Sequence, residues 1–332
     1  MDEARRRIKF GADCFSQHTD WPSYLEAMKQ AEELGYDSLW TPDHLIPTPP
    51  GADPEGPILE PYMCLAGVAA STSEATLGLL VSPISLRQPA LLTKMITALD
   101  HISNGRAVLG LGAGWHEEEH RQYGFEFGSG FGERLDWLRQ ALPVVRGMLD
   151  GTRPSSAGDR YTIQEVVNSP APVQRHLPIL IGGTGPKVTL RLVAEYGDMC
   201  NLIGSPDQVA AVEATLVEHC QAVGRDQSEI ERTVAIRQPV IRESRLDAER
   251  ALNGIFAHNN SEPWSRDMVG TSQDLVERCT PYVELGYRHL IFQFLAPFDR
   301  QTMERLATEV KPLLEAVAGD WASDAAPLQD SG

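Results

Sequence analysis

Eight short apolar or β-branched runs recur along the chain, each followed by a helical pattern, and this alternation constrains the fold more than any other feature. The runs predict strands over 8–12, 38–41, 76–81, 107–112, 179–182, 199–203, 233–241 and 290–294. Helix signals fit between them. Asp20 reads as an N-cap with Pro22 in the first turn, Leu25, Met28, Ala31 and Leu34 form the inward stripe, and Gly35 is the stop. A second helix is expected over 89–102, closed by Asn104-Gly105, and Leu135, Leu138, Leu142, Val145 and Leu149 mark a third. Others are predicted over 188–196, 206–223, 246–257, 272–285 and 302–317. Alternation of this kind implies a parallel sheet, and eight rounds of it predict an α/β fold closed as a single (β/α)8 TIM barrel. No break in composition divides the 332 residues.

Three stretches fall outside the repeat. Residues 47–61 are rich in Pro and Gly and predict an extended loop after the second strand, at the C-terminal face of the barrel. Residues 152–177 read as an insertion before the fifth strand, with a small hairpin around RYTIQEVV. The tail from Gly319 is small and polar and is expected to fray, leaving a barrel domain over 1–318.

Composition removes several function classes. No run approaches the roughly 18 apolar residues of a membrane span, and the start lacks an apolar segment with a cleavage site, so a cytoplasmic protein is expected. Five scattered cysteines without a C-x-x-C pair fit reduced thiols. The formal charge of −17 repels nucleic-acid backbone. An anionic ligand must therefore be held locally, by backbone N–H groups and a few placed cations.

Catalytic groups of such barrels sit at the carboxyl ends of the strands. That rule selects Asp13-Cys14, Asp43-His44, Leu80-Val81-Ser82, the run GAGWHEEEH after strand four, Gly182-Gly183-Thr184-Gly185 after strand five, Asn201, and Arg237-Gln238. His44 beside Asp43 is equipped for proton transfer. The glycines of IGGTGPK let backbone approach a ligand closely, and their N–H groups before a helix favour a phosphate. It is not a Walker A loop. The run HEEEH matches H-E-x-x-H, with His116 and His120 one helical turn apart and Glu117 as a general base. A zinc site also needs a third protein ligand, and no spacing recommends His101, His176 or His258, so no metal is expected. Gly110, Gly112 and Gly114 precede it, but Trp115 stands where the dinucleotide fingerprint needs its last glycine.

The segments AEELGYDSLWTPDHL, LGLLVSPISLRQPALLTKMITALDHISNGRAVLGLGAGWHEEEHRQYG, ERLDWLRQALPVVRGML and SPAPVQRHLPILIGGTGPKVTLRLVAEYGD occur in an order that resembles the bacterial luciferase-like superfamily. Within it, the chain resembles the coenzyme F420-dependent oxidoreductase branch, over roughly 9–240. It implies a barrel with an insertion before the fifth strand, a deazaflavin or flavin in the barrel mouth, a small-molecule substrate and a homodimer. Its phosphate would rest on Gly182, Gly183, Thr184 and Gly185; Gly112 and Ala113 would complete the seat, and a non-prolyl cis peptide behind the ring maps onto Leu80-Val81. Similarity to the sugar-phosphate dehydrogenases makes Asp43 a cofactor contact and His44 the proton carrier. Those enzymes place a glutamate where this chain has Trp115, so that acid role is not carried over, and Glu117, Glu118 or His116 are the substitutes in sequence. Arg87, Lys187 and Arg191 are the nearest cations for the cofactor's acidic side chain. The expected activity is F420-dependent hydride transfer; the alternatives are an FMN-dependent monooxygenase of the same fold, a zinc hydrolase and a non-catalytic flavin-binding protein.

Overall fold

The computed structural model describes residues 7–48, 53–263 and 265–324. Its eight core strands are β1 (Lys9–Cys14), β2 (Ser38–Thr41), β3 (Thr76–Leu79), β4 (Ala107–Gly112), β5 (Ile179–Gly182), β6 (Met199–Leu202), β7 (Glu231–Ile236) and β8 (His289–Phe294). All pair in parallel with their neighbours, from β1 on β8 over Lys9↔His289 to Cys14↔Phe294, round to β3 on β4 through Leu77↔Ala107. The ring is closed and is the expected TIM barrel.

Helices cover the ring: α1 (Trp21–Glu33), α2 (Pro61–Ala69), α3 (Pro89–Ile102), α4 (Glu117–Tyr123), α5 (Phe131–Leu149), α6 (Thr189–Tyr196), α7 (Pro206–Val223), α8 (Arg245–His258), α9 (Ser272–Glu284), α10 (Arg300–Arg305) and α11 (Lys311–Asp324). Asp20 caps α1 as read, its carboxylate accepting from the Ser23 amide at 2.8 Å, and the structure adds a capping box at Ser205 on α7. Among the described residues no helix is long and apolar enough to cross a membrane.

Several boundaries differ from expectation. The strand read over 76–81 stops at Leu79; Leu80-Val81 is a cis peptide, and Ser82–Pro83 pairs with β4 outside the ring. The run read as 233–241 is two pieces, β7 and Val240–Ile241, because Gln238 takes φ +26 and turns the chain toward Val269–Gly270. Within 47–61 the loop forms an antiparallel bridge, Ile58 on Gln17, with the segment that follows β1, residues 49–52 lie outside the described residues, and α2 begins at its last position. The insertion carries the small antiparallel pair Ser156–Ala157 with Thr162–Ile163. The final helix is interrupted by a π segment, Leu306–Val310, and then runs through Gly319 to Asp324, so fraying does not begin at Gly319; residues 325–332 lie outside the described residues.

Alternation along each strand separates two cores. Outward residues such as Leu290, Phe292 and Phe294 pack under the helices, whereas Trp40, Val108, Leu180, Met199 and Ile291 fill the barrel itself. Trp40 is fully buried, and glycines make room for it: a Cβ on Gly78 would lie 2.9 Å from its ring. Its indole N–H donates to Ser38 Oγ at 2.7 Å, which meets His289, which in turn meets Glu231 at 2.8 Å. This polar chain seals the floor of the barrel and leaves its upper end for the site.

Candidate active site

The C-terminal ends of β3, β4, β5 and β6 surround a cavity of about 450 Å³. One wall is apolar, from Leu80, Val81, Leu135 and Leu138; at one end stand Gly182, Gly183, Thr184 and Gly185, at another His44 and Trp115. Gly112 and Ala113 complete the back. Of the residues selected from sequence, the structure thus gathers His44, Leu80, Val81, Gly112, Ala113, the 182–185 run and Asn201 around one space.

The glycines are there because backbone must come close. A Cβ on Gly112 would lie 2.7 Å from Val81 Cγ2 and one on Gly185 2.7 Å from Thr189 Oγ1; Gly183 has φ +126. The Gly183 amide donates to Asn201 O at 3.1 Å, so the donors left for an anion are the amides further along the turn and at the start of α6, whose N-cap Val188 supplies no side-chain cap.

His44 is held from behind. Its Nδ1 lies 3.1 Å from Glu119 Oε1, and Glu119 Oε2 accepts from the Leu45 amide at 3.0 Å. Glu119 is fully buried; burial pushes its carboxyl up, but the His44 hydrogen bond and charge and the Leu45 amide outweigh this and hold it below the usual carboxylate value. An ionised Glu119 fixes the proton on Nδ1, which leaves Nε2 as the nitrogen able to take or give a proton. Among the described residues Nε2 has no protein partner.

Glu119 is the residue that sequence reasoning missed. Glu117 is exposed and outside the cavity wall, and Glu118 pairs with Arg121 on the outer face of α4. Glu117 is therefore corrected as a catalytic candidate. The available signal was helical phase: in a helix starting at Glu117 with an outward Glu118–Arg121 pair, Glu119 and His120 must face inward. His120 spends both ring nitrogens on protein, at 2.7 Å from His116 O and 2.7 Å from Ser85 Oγ, so neither remains to ligate a metal in the H-E-x-x-H manner. Trp115 is 57% exposed at the mouth, edge-on to His44 at 5.3 Å and stacked on His116 at 4.8 Å.

Asp43 does not line the cavity. It is buried and paired with Arg87, which also donates to Glu60 at 2.8 Å and lies 4.7 Å over the Tyr62 ring. Arg87 is thus committed to holding the β2 loop, and Arg191 to Glu195 at 2.8 Å, rather than standing free for a ligand. Arg87→Ala should lower stability by about 3–5 kcal/mol because it strands a buried carboxylate; urea unfolding measures it, and Asp43→Leu added to Arg87→Met should recover part of the loss. Asp13 lies outside the cavity too, buried with one oxygen accepting from Gln293 at 3.0 Å, its carboxyl pushed up to about 7 by burial against that hydrogen bond.

A closed barrel with a run of glycines, an apolar wall and a histidine hydrogen-bonded to a buried carboxylate on the loops of its C-terminal face defines a cofactor-dependent enzyme. The chain belongs to the luciferase-like monooxygenase family, whose sequence model matches residues 8–331. It is 25% identical over 334 residues to an F420-dependent glucose-6-phosphate dehydrogenase of Microbacterium testaceum (strain StLB037), covering 92% of this chain and 97% of that protein. Among solved structures, an F420-dependent secondary alcohol dehydrogenase in complex with an F420-acetone adduct superposes with TM-score 0.76 at 18% identity, covering 93% of this chain and 99% of the other. The oxygenating constituent of 3,6-diketocamphane monooxygenase from Pseudomonas putida, in complex with FMN, gives 0.71 at 16%, with 92% and 98% covered.

Proposed function

We propose that the protein is an F420-dependent oxidoreductase that moves a hydride between the deazaflavin and a small organic substrate. The observation that carries this reading is the single cavity in which His44 Nε2, the apolar Leu80-Val81 wall and the 182–185 cradle face one space. Those groups fit the cofactor: the wall suits a planar ring and the cradle a phosphate in a chain whose net charge of −17 favours holding anions by backbone. The whole-length likeness to an F420-dependent dehydrogenase supports the deazaflavin over FMN.

When bound, the deazaflavin supplies the hydride exchange. The chain's own residues supply the rest. His44 Nε2 takes the hydroxyl proton of an alcohol, or returns one to a carbonyl oxygen in the reverse direction. Glu119 steadies the imidazolium that forms, as a buried carboxylate behind a histidine does. Trp115 screens the mouth from water in place of an acid, so the proton traffic runs through His44 alone. A homodimer belongs to the same proposal.

Parallel titration with F420 and FMN tests the cofactor, read by quenching of tryptophan fluorescence, since Trp115 lines the cavity. Saturable binding of F420, at least tenfold tighter than FMN, is expected. Preference for FMN, with oxygen uptake when a flavin reductase is added, would move the protein to the monooxygenases.

A further inference from the structure

The mouth of the cavity is ringed by aromatic side chains that water reaches. Between β4 and α5 the chain exposes Trp115, Tyr123, Phe125 and Phe131, and two of these, Trp115 at 57% and Phe131 at 52%, line the cavity that holds His44. Ile203, also exposed, lines it from just beyond β6. Single exposed apolar residues are ordinary on a protein surface, whereas several gathered at the rim of one cavity mark a contact with a ligand or partner.

The collar is held in place by its neighbours. Arg134 of α5, almost fully buried, donates through Nε to the Gly114 carbonyl at 3.2 Å and through Nη1 to the Phe127 carbonyl at 3.1 Å. Its guanidinium lies 3.7 Å over the Phe127 ring and 5.7 Å from the Phe131 ring, so one cation ties both ends of the segment. Gly114 takes φ +81, and a Cβ there would lie 2.9 Å from Ser85 Oγ, which fixes the turn that delivers Trp115. The Tyr123 hydroxyl donates to the Leu45 carbonyl at 3.1 Å, on the loop of His44. Binding at such a braced rim costs little ordering. Charge is missing from the same space: among the described residues no Asp, Glu, Lys or Arg lines this cavity, in a chain with 46 acidic and 29 basic residues. A charged group lodged there would lose water and gain no ion partner.

We infer that Trp115 and Phe131 grip the body of the substrate, an uncharged alcohol or carbonyl compound carrying an apolar group, aromatic for preference. The inference rests on the reading of His44 as the group that meets the reacting oxygen. Trp115 stands edge-on to His44 at 5.3 Å, so one small molecule spans from Nε2 to the indole, with its apolar part lying outward along the collar.

Ligand-observed NMR titration of the full chain with acetone, acetophenone and 4-acetylbenzoate, each with and without F420, tests this. Acetophenone should bind about tenfold or more tighter than acetone and than its 4-carboxylate, because the phenyl group is buried and the carboxylate finds no partner. Trp115→Ala and Phe131→Ala should each weaken acetophenone by about five- to tenfold and leave acetone unchanged, whereas Trp115→Phe should keep most of the affinity. Both positions are exposed, so the variants should fold. Acetophenone bound no tighter than acetone, the 4-carboxylate bound as well as the neutral ketone, or variants equal to wild type would overturn the collar. So would variants that turn a dimer into monomers in sedimentation while ketone binding stays the same, since a second copy would then be what covers the rings. F420 binding, followed by the deazaflavin's own fluorescence, keeps the two readings apart. A protein that prefers acetophenone but does not bind F420 supports the collar and sinks the cofactor reading, and the reverse result does the opposite.

Discussion

His44→Ala should retain F420 binding within a few-fold and lose turnover by about 10²- to 10⁴-fold, the usual worth of a positioned acid–base group. The loss is expected in kcat, because in the proposed reaction His44 would meet the reacting oxygen while the 182–185 run and the apolar wall would carry binding. The substitution empties a space beside Trp115, so imidazole added to the solution should restore part of the rate. Glu119→Gln should lower kcat by about tenfold or more without weakening F420, because in the proposed reaction the residue acts by orienting the histidine. Unchanged turnover in His44→Ala would end its assignment as the proton carrier, and a loss in Glu119→Gln matched by loss of F420 binding would make Glu119 structural. The same carboxylate has a consequence for stability. Its folded value is depressed, so its contribution is present above the ordinary carboxylate range and is lost as pH falls through that range toward the depressed value. Glu119→Gln should therefore show a shallower fall in stability on the acid side.

Gly110→Ala should damage the barrel more than any other single methyl group added to a strand. A Cβ there would lie 1.9 Å from the Leu79 carbonyl oxygen and 3.3 Å from Val81 Cγ1, at the place where β3 and β4 close the ring. Backbone cannot swing away as a side-chain tip can, so the cost should reach or exceed the roughly 3 kcal/mol upper range of overpacking. Thermal unfolding should move down by about 5 °C or more, or the variant should fail to accumulate as folded protein. Gly254→Ala is the control: it lies in the interior of α8 with nothing within 4 Å of its would-be Cβ, and it should be neutral or stabilising by up to about 1 kcal/mol. Equal behaviour of the two variants would show that the close approach of β3 to β4 is not a real constraint.

Much of this was legible before any fold was seen. The strands over Ser38–Thr41, Ala107–Gly112 and Ile179–Gly182 and the helices over Pro89–Ile102 and Pro206–Val223 stand where periodicity, proline and cap residues put them. The glycines before α6 stand out in the sequence, and Gly183 takes φ +126, a backbone that favours glycine. The boundaries that moved are those where a local pattern is silent about long-range geometry. Thr76–Val81 is uniformly strand-like, yet the chain breaks at Leu80 to form the cavity wall, and Leu306–Val310 adopts a π turn inside a smooth helical pattern. The helix Pro61–Ala69 was hidden by the proline and glycine that precede it.

What the sequence determined alone was the order of elements and the list of residues able to do chemistry, because both depend on spacing within a few residues along the chain. Which of those residues meet was decided only by the closed barrel. Three consecutive glutamates, Glu117, Glu118 and Glu119, are chemically equivalent as letters; the phase of α4 against the β2 loop buries the third on His44 and leaves the other two off the cavity. Arg87 and Asp43, 44 residues apart, become one buried pair, and Trp115 and Phe131 reach the wall of one cavity from a loop and from the start of a helix. Burial and charge partnership are properties of three-dimensional neighbours, and no local pattern along the chain encodes them.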